Sequence, residues 1–225
     1  MTLNFAEILS RWPMFLDGAL VTTKLAVGAT VIGFGIGTLG AIAKRSEVQW
    51  VRRSASLYVE LIRNTPLLVQ IFLVYFGLSS IGLKLPAIPV AMAALIINVG
   101  AYATEIMRAG CDSVPKGQIE AAECLALSRR QIYWHVILLP AMERVYPALT
   151  SQFVLLMLAT SVCSQISAEE LTAVANYVQS DTYRPFETYA LVGIAYVLLS
   201  LAMRSTLWGI GQILFPRRRR LGTAL

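Results

Sequence analysis

Five stretches of this chain, roughly residues 20–43, 65–83, 88–107, 149–167 and 189–213, are apolar for long enough to cross a bilayer. A hydrocarbon core of ~30 Å needs about 20 mostly apolar helical residues, and these runs meet or approach that length. Composition agrees. Hydrophobic residues make up 56% of the 225 and charged residues only 14%, whereas soluble domains carry roughly 25% charge. With a mean hydropathy of +0.64, the chain cannot be a disordered segment, a secreted disulfide scaffold or a soluble enzyme. It reads as an all-α membrane protein with about five transmembrane helices.

The basic residues orient it. Lys44, Arg45, Arg52 and Arg53 follow the first span, and Arg108, Lys116, Arg129, Arg130 and Arg144 follow the third. Arg217, Arg218, Arg219 and Arg220 close the chain, so thirteen of the 19 Lys and Arg residues fall on one side. The other side holds Arg11, Lys84 and Arg184 among Glu169, Glu170, Asp181 and Glu187. Basic loops stay in the cytoplasm, which predicts an outside N-terminus and a cytoplasmic C-terminus. After a span, the Arg217–Arg220 run reads as a cytoplasmic anchor that attracts anionic lipid, and no nucleic-acid partner is expected. Phe5, Ile8, Leu9, Trp12, Phe15 and Leu16 recur at helical spacing behind an Asn4/Glu7 capping pattern. They predict an interfacial amphipathic helix over residues 1–18. Glu7, Arg11 and Asp17 make this start unlike a cleaved signal peptide.

Several chemistries lack their residues. Cys111, Cys124 and Cys163 have no metal-ligand spacing and are expected to be buried thiols, and His135 is the single histidine. Residues 35–40 match GxGxxG, but that fingerprint needs a preceding strand and a βαβ unit. Inside a span, Gly33 and Gly37 instead predict a smooth face for close helix packing. No GxxxxGK[ST] is present, so no P-loop nucleotide site is expected in this chain.

Polar residues inside the spans are the candidates for function. Lys24, Arg63, Glu105 and Arg204 lie in or beside spans, where ionisable groups face an interior, a watery path or the interface. Asn98, Gln152, Thr160, Ser161 and Gln165 are uncharged and deep, suited either to substrate contact or to interhelical hydrogen bonds. Asn64-Thr65-Pro66 breaks the helix before the second span, because proline lacks an N–H and disfavours helical geometry in the residue before it. Broken helices mark many transport sites. The segment after the third span is about 37 residues long and carries an Ala-rich amphipathic stretch around Ala121 and Ala122, suited to another protein's groove.

The string PKGQIEAAECLALSRRQIYWHVILLP (residues 115–140) resembles the EAA loop of membrane subunits of bacterial ABC importers. YVELIRNTPLLVQIFLVYFGL (58–78), Asn98, Ala101-Tyr102 with Glu105, and TYRPFETY (182–189) are similar to the polar amino acid subgroup. The resemblance runs in order from Thr22 to Phe215. It implies a type I importer permease: a transmembrane domain over 19–215 with a coupling loop at 108–146, and a basic tail at 216–225. It further implies a multi-pass protein of the bacterial inner membrane, paired with an identical or similar permease. A periplasmic amino acid-binding protein would deliver substrate, with Glu169, Glu170 and Asp181 as docking charges. A separate ATP-binding subunit dimer would hold ATP and Mg, leaving this chain without cofactor and without catalysis. Gly117, Glu120, Ala121, Ala122 and Ala126 would form the coupling surface. Asn64, Thr65, Asn98, Gln152, Thr160 and Ser161 would line the substrate path for a polar or basic amino acid or an opine.

Three departures stand out. Ala126 replaces the usual glycine; alanine disfavours a left-handed turn there and would permit a continuous helix. In Leu138-Leu139-Pro140 the proline is displaced by one residue. Leu158-Ala159 stands where relatives carry a Lys-acidic pair, which predicts an unequal permease pair whose partner supplies the charged recognition. A stand-alone secondary transporter or channel is the alternative. It would call for an internal repeat and a coupling-ion acid within the spans, and no clear repeat is present. A membrane-embedded enzyme would need a constellation that one histidine does not provide. A pure scaffold would leave the coupling-like loop without a purpose.

Overall fold

The computed structural model describes residues 5–215. Among them the chain is helical with no strand: α1 (Ala6–Leu9), α2 (Trp12–Lys44), α3 (Gln49–Arg63), α4 (Leu67–Ser80), α5 (Ala87–Asp112) and α6 (Lys116–Cys124). Next come α7 (Arg129–Gln131), a π-helical stretch (Ile132–Leu138), α8 (Leu139–Ala159), a 3-10 stretch (Thr160–Ile166), α9 (Leu171–Thr182) and α10 (Pro185–Leu214). Asn4 of the expected cap and the Arg217–Arg220 run lie outside the described residues.

Helices α2, α5 and α10, together with the continuous rod Arg129–Ile166, are each long and apolar enough to cross a membrane. The second span differs from the sequence expectation. Helix α4 has 14 residues, about 21 Å at 1.5 Å per residue, short of a ~30 Å core. It makes a span only together with α3, from which it is bent by 108°. Five crossings therefore hold if this bent pair counts as one.

Helices α2 and α5 form the spine, and small residues explain how closely they approach. A Cβ added to Gly33 would stand 2.1 Å from Val99 Cγ1, one on Gly37 2.4 Å from Ala103 Cβ, and one on Gly40 2.2 Å from Thr104 Oγ1. The GxGxxG string is therefore a packing face, as its place inside a span requires. Around this seam Leu25, Ala29, Leu95, Val99, Ala103 and Met107 are fully buried, and α4 and α8 add Ile71, Leu149 and Leu156. Helix α10 turns Ile194, Val197, Leu198 and Leu201 outward, as a helix facing lipid or a partner does.

The N-terminal segment does not form one interfacial helix. Only Ala6–Leu9 is separate, and Trp12–Leu16 already belongs to α2. Ile8 and Phe15 are buried against Leu171, Ala175, Val178 and Val192, so α9 and α10 take up two residues of the apolar stripe, while Phe5, Leu9, Trp12 and Leu16 stay exposed. Glu7 pairs with Arg184 at 3.0 Å, and Arg11 pairs with Asp181.

Candidate functional site

The α3–α4 break is the best-defined polar structure inside the spans. Helix α5 fixes its depth. Asn98 lies about 17 Å along a helix of about 39 Å, and its Nδ2 donates to Gln70 Oε1 of α4 at 2.9 Å. The elbow thus sits near mid-depth, where water cannot satisfy the carbonyls that end α3. Side chains do so instead. Glu60 O accepts from Asn64 Nδ2 at 2.8 Å, and Leu61 O accepts from Thr65 Oγ1 at 2.8 Å. Gln70 Nε2 shares its protons among Ile62 O at 2.7 Å, Thr65 O at 3.0 Å and Thr65 Oγ1 at 2.9 Å. Tyr58 Oη donates to Ile97 O at 2.6 Å, pinning α3 onto α5. Gln70 is buried, whereas Arg63, Asn64, Thr65 and Pro66 are exposed.

This geometry redistributes the residues expected to line a substrate path. Asn98 is only 8% exposed and spends its amide on the elbow. Asn64 and Thr65 cap α3. Thr160 is fully buried and donates to Met157 O at 2.7 Å, while Ser161 donates to Leu158 O at 2.8 Å. Gln152 is half-buried, two turns earlier on α8. The elements bearing Asn98, Gln70 and Thr160 pack together, because the 3-10 stretch touches both α4 and α5. Sequence reasoning passed over Gln70, although an amide between Val69 and Ile71 in an apolar run is itself a signal.

At the basic end an ionic ladder joins α2 to α5. Lys44 Nζ lies 2.8 Å from Glu105 Oε2, Arg108 bridges Glu105 and Asp112, and Arg45 reaches Asp112 at 3.2 Å. Beyond it, α6 stands between α5 and the long rod. Ala122 is buried while Gly117, Glu120, Ala121, Cys124 and Leu125 are exposed, Leu125 by 76%. Glu120, Ala121, Cys124 and Leu125 share one helix face. Arg144 Nη1 donates to Ser113 Oγ at 2.9 Å, tying the root of α8 to the end of α5. The exposed Cys124 departs from the expectation of buried thiols; Cys111 and Cys163 meet it.

The left-handed turn that alanine disfavours is nevertheless formed at Ala126, and the helix does not run on. Ala126 has φ +55°, and its N–H donates to Glu123 O at 2.9 Å while Leu127 N–H reaches Ala122 O at 3.2 Å. This pair of bonds is a Schellman C-cap, whose left-handed seat favours glycine. Alanine occupies that seat, and Ser128 opens the next helix with a capping box to Gln131.

At the opposite end, Glu170 cannot be a docking charge because it has no exposed surface. It caps α9 by accepting from Ala173 N–H at 2.9 Å, and it accepts from Tyr196 Oη at 2.7 Å. Thr22 Oγ1 stands 3.5 Å from the same carboxylate and accepts from Leu171 N–H at 3.1 Å. Burial pushes the Glu170 carboxyl above its ordinary range, opposed by these hydrogen bonds. Glu169 stays exposed, and Asp181 is half-exposed and paired with Arg11. No group of three His, Cys, Asp or Glu side chains among the described residues could hold a metal ion.

Residues 33–220 match the family described as "binding-protein-dependent transport system inner membrane component". The chain is 33% identical to the octopine transport system permease protein OccM of Rhizobium radiobacter, covering 96% of this chain and 89% of that one. It is 35% identical to the putative glutamine transport system permease protein GlnP of Rickettsia conorii, over 81% and 84% of the two chains. A solved amino acid ABC transporter with histidines superposes with a TM-score of 0.87 at 36% identity, covering 94% of this chain and 99% of that chain. With its helical spans, bent second crossing and protruding α6, the chain has the type I importer permease fold and belongs to the family of membrane permease subunits of ABC transporters.

Proposed function

We propose that this chain is one permease half of an ATP-driven importer in a bacterial inner membrane, moving an amino acid or a derivative such as an opine. The observation that carries the reading is the exposed face of α6, with Glu120, Ala121, Cys124 and Leu125 outside the spans at the basic end. A separate ATPase dimer, holding ATP and Mg, seats that face in a groove. Its closure is passed through the Arg144–Ser113 tie and the Lys44–Glu105–Arg108–Asp112 ladder to α2, α5 and α8. Basic residues cluster at this end, which supports a cytoplasmic side for it and an outer side for α9. There Glu169 and the neighbouring surface meet a binding protein. A second permease, similar or identical, covers the exposed elbow. The relatives named for octopine and glutamine, and the transporter solved with histidines, support this substrate class.

Affinity purification from membranes tests the assembly: an ATP-binding subunit should accompany the tagged chain, and mass spectrometry will show whether a second permease does. Recovery of the chain alone, still transporting in liposomes without ATP, would replace this reading with a secondary carrier. Glu120→Lys tests the coupling face. The variant should insert and assemble, yet lose uptake while ATP hydrolysis continues. Normal uptake would remove Glu120 from the interface.

A further inference from the structure

We propose that Arg63, held over the Tyr102 ring at the α3–α4 elbow, recognises the carboxylate of the transported molecule. Arg63 ends α3, and its guanidinium carbon lies 5.5 Å from the Tyr102 ring centroid. Tyr102 stands about 22 Å along the 39 Å of α5, one turn short of Glu105, so this cation sits within the span, on the side of its middle nearer the basic end. A cation at that depth is costly and belongs to an interior or watery path rather than to lipid. Among the described residues it makes no ion pair, and the carboxylates Glu105 and Asp112 are taken by Lys44, Arg108 and Arg45. The aromatic face steadies the guanidinium without neutralising it, leaving its N–H edges for a bidentate acceptor.

The surroundings select the sign and the place of that acceptor. Non-helical backbone at membrane depth is tolerated only where it is covered by protein or lines a cavity, and the elbow residues 64–66 are exposed in this chain. The exposed side of the elbow therefore faces the path or the second permease. Asn64, Thr65 and Gln70 are spent on the carbonyls of α3. The free N–H groups opening α4 add partial positive charge beside Arg63. What remains is a positively polarised site with donors to spare, and a carboxylate is the group common to amino acids and opines.

This inference rests on the amino acid reading above, and one experiment separates the two. The intact importer in lipid nanodiscs would be titrated with L-histidine, L-glutamine and octopine, and with the carboxamide of each. Wild type should bind at least one acid in clear preference to its amide. Arg63→Ala should weaken that acid about 10- to 100-fold and erase the preference, with Arg63→Lys in between. Tyr102→Leu, which removes only the ring, should weaken it a few-fold and keep the preference. If Arg63→Ala elutes as an intact complex and still prefers acid over amide as wild type does, Arg63 is not the carboxylate site. If wild type binds none of the three, the amino acid reading falls and this inference with it.

Discussion

The chain breaks a helix in two contrasting places, at residues 64–66 and at residues 125–128. At the first, near mid-depth, the freed carbonyls of α3 are met by three side chains, and Gln70 reaches back from the next helix to do it. At the second, beyond the spans, backbone alone closes the end of α6, with Ala126 in a left-handed seat. The surroundings account for the difference. Water satisfies whatever the α6 cap leaves open, so a strained cap suffices there. Within the span a carbonyl turned away from any watery path has no such recourse, so the elbow needs a dedicated amide.

The largest expected effect therefore falls on Gln70. Gln70→Leu would orphan the Asn98 amide and Thr65 O and leave Ile62 O only the long contact to Thr65 Oγ1 at 3.4 Å, at about 1–3 kcal/mol for each buried group left unpaired. A sharp drop in the thermal midpoint of the detergent-solubilised complex is expected, with loss of uptake. Gln70→Glu keeps an acceptor for Asn98 and loses the donors, so it should fall between. A wild-type midpoint for Gln70→Leu would mean that packing alone holds the bend and that the two breaks do not differ in kind.

Glu170 extends the comparison to a buried acceptor at the outer end, and here the sign of the pH dependence discriminates. Its folded carboxyl lies above the ordinary value because of burial. Its contribution to stability is therefore full below the unfolded value and is lost as pH rises through the folded one. The thermal midpoint should fall as pH rises above the ordinary carboxyl range, and Glu170→Gln should flatten that slope. An unchanged slope in the variant would assign the dependence to other groups. Glu170→Ala, which orphans the Ala173 N–H and leaves the Tyr196 hydroxyl with Thr172 Oγ1 as its remaining partner, should cost about 1–3 kcal/mol.

How much of this was legible before any coordinates follows the same division. Long apolar runs and the placement of Lys and Arg are additive along the chain, so the spans and the basic end could be read directly. The glycine face of α2 was legible because spacing determines which residues share a helix face. Pairing was not. Glu170 looked like one of several outer charges, since nothing local shows that Thr22 and Tyr196, 148 and 26 residues away, close over it. Asn98 and Thr65 looked like substrate contacts for the same reason, because Gln70 joins them only once α4 folds back onto α5. The N-terminal stripe of Ile8 and Phe15 was correctly read as amphipathic, but an apolar stripe does not say whether lipid or protein will cover it. Ala126 shows the limit of local propensity. Alanine favours the helix, yet the strong capping box at Ser128 and the packing of the following rod compel a turn before it.

The smallest effect, and the one that sharpens the comparison most cleanly, is Ala126→Gly. Its Schellman bonds are already in place, so glycine would change no contact and only relieve the left-handed strain, worth about 1 kcal/mol. Part of that gain is offset by the greater freedom of glycine in the unfolded chain. A rise of a degree or two in the thermal midpoint is expected, with amide hydrogen exchange slowing at the end of α6 and uptake retained. Faster exchange there would instead mean that α6 runs on through residue 126 in the membrane, and that the water-facing break is made only when the coupling face is free.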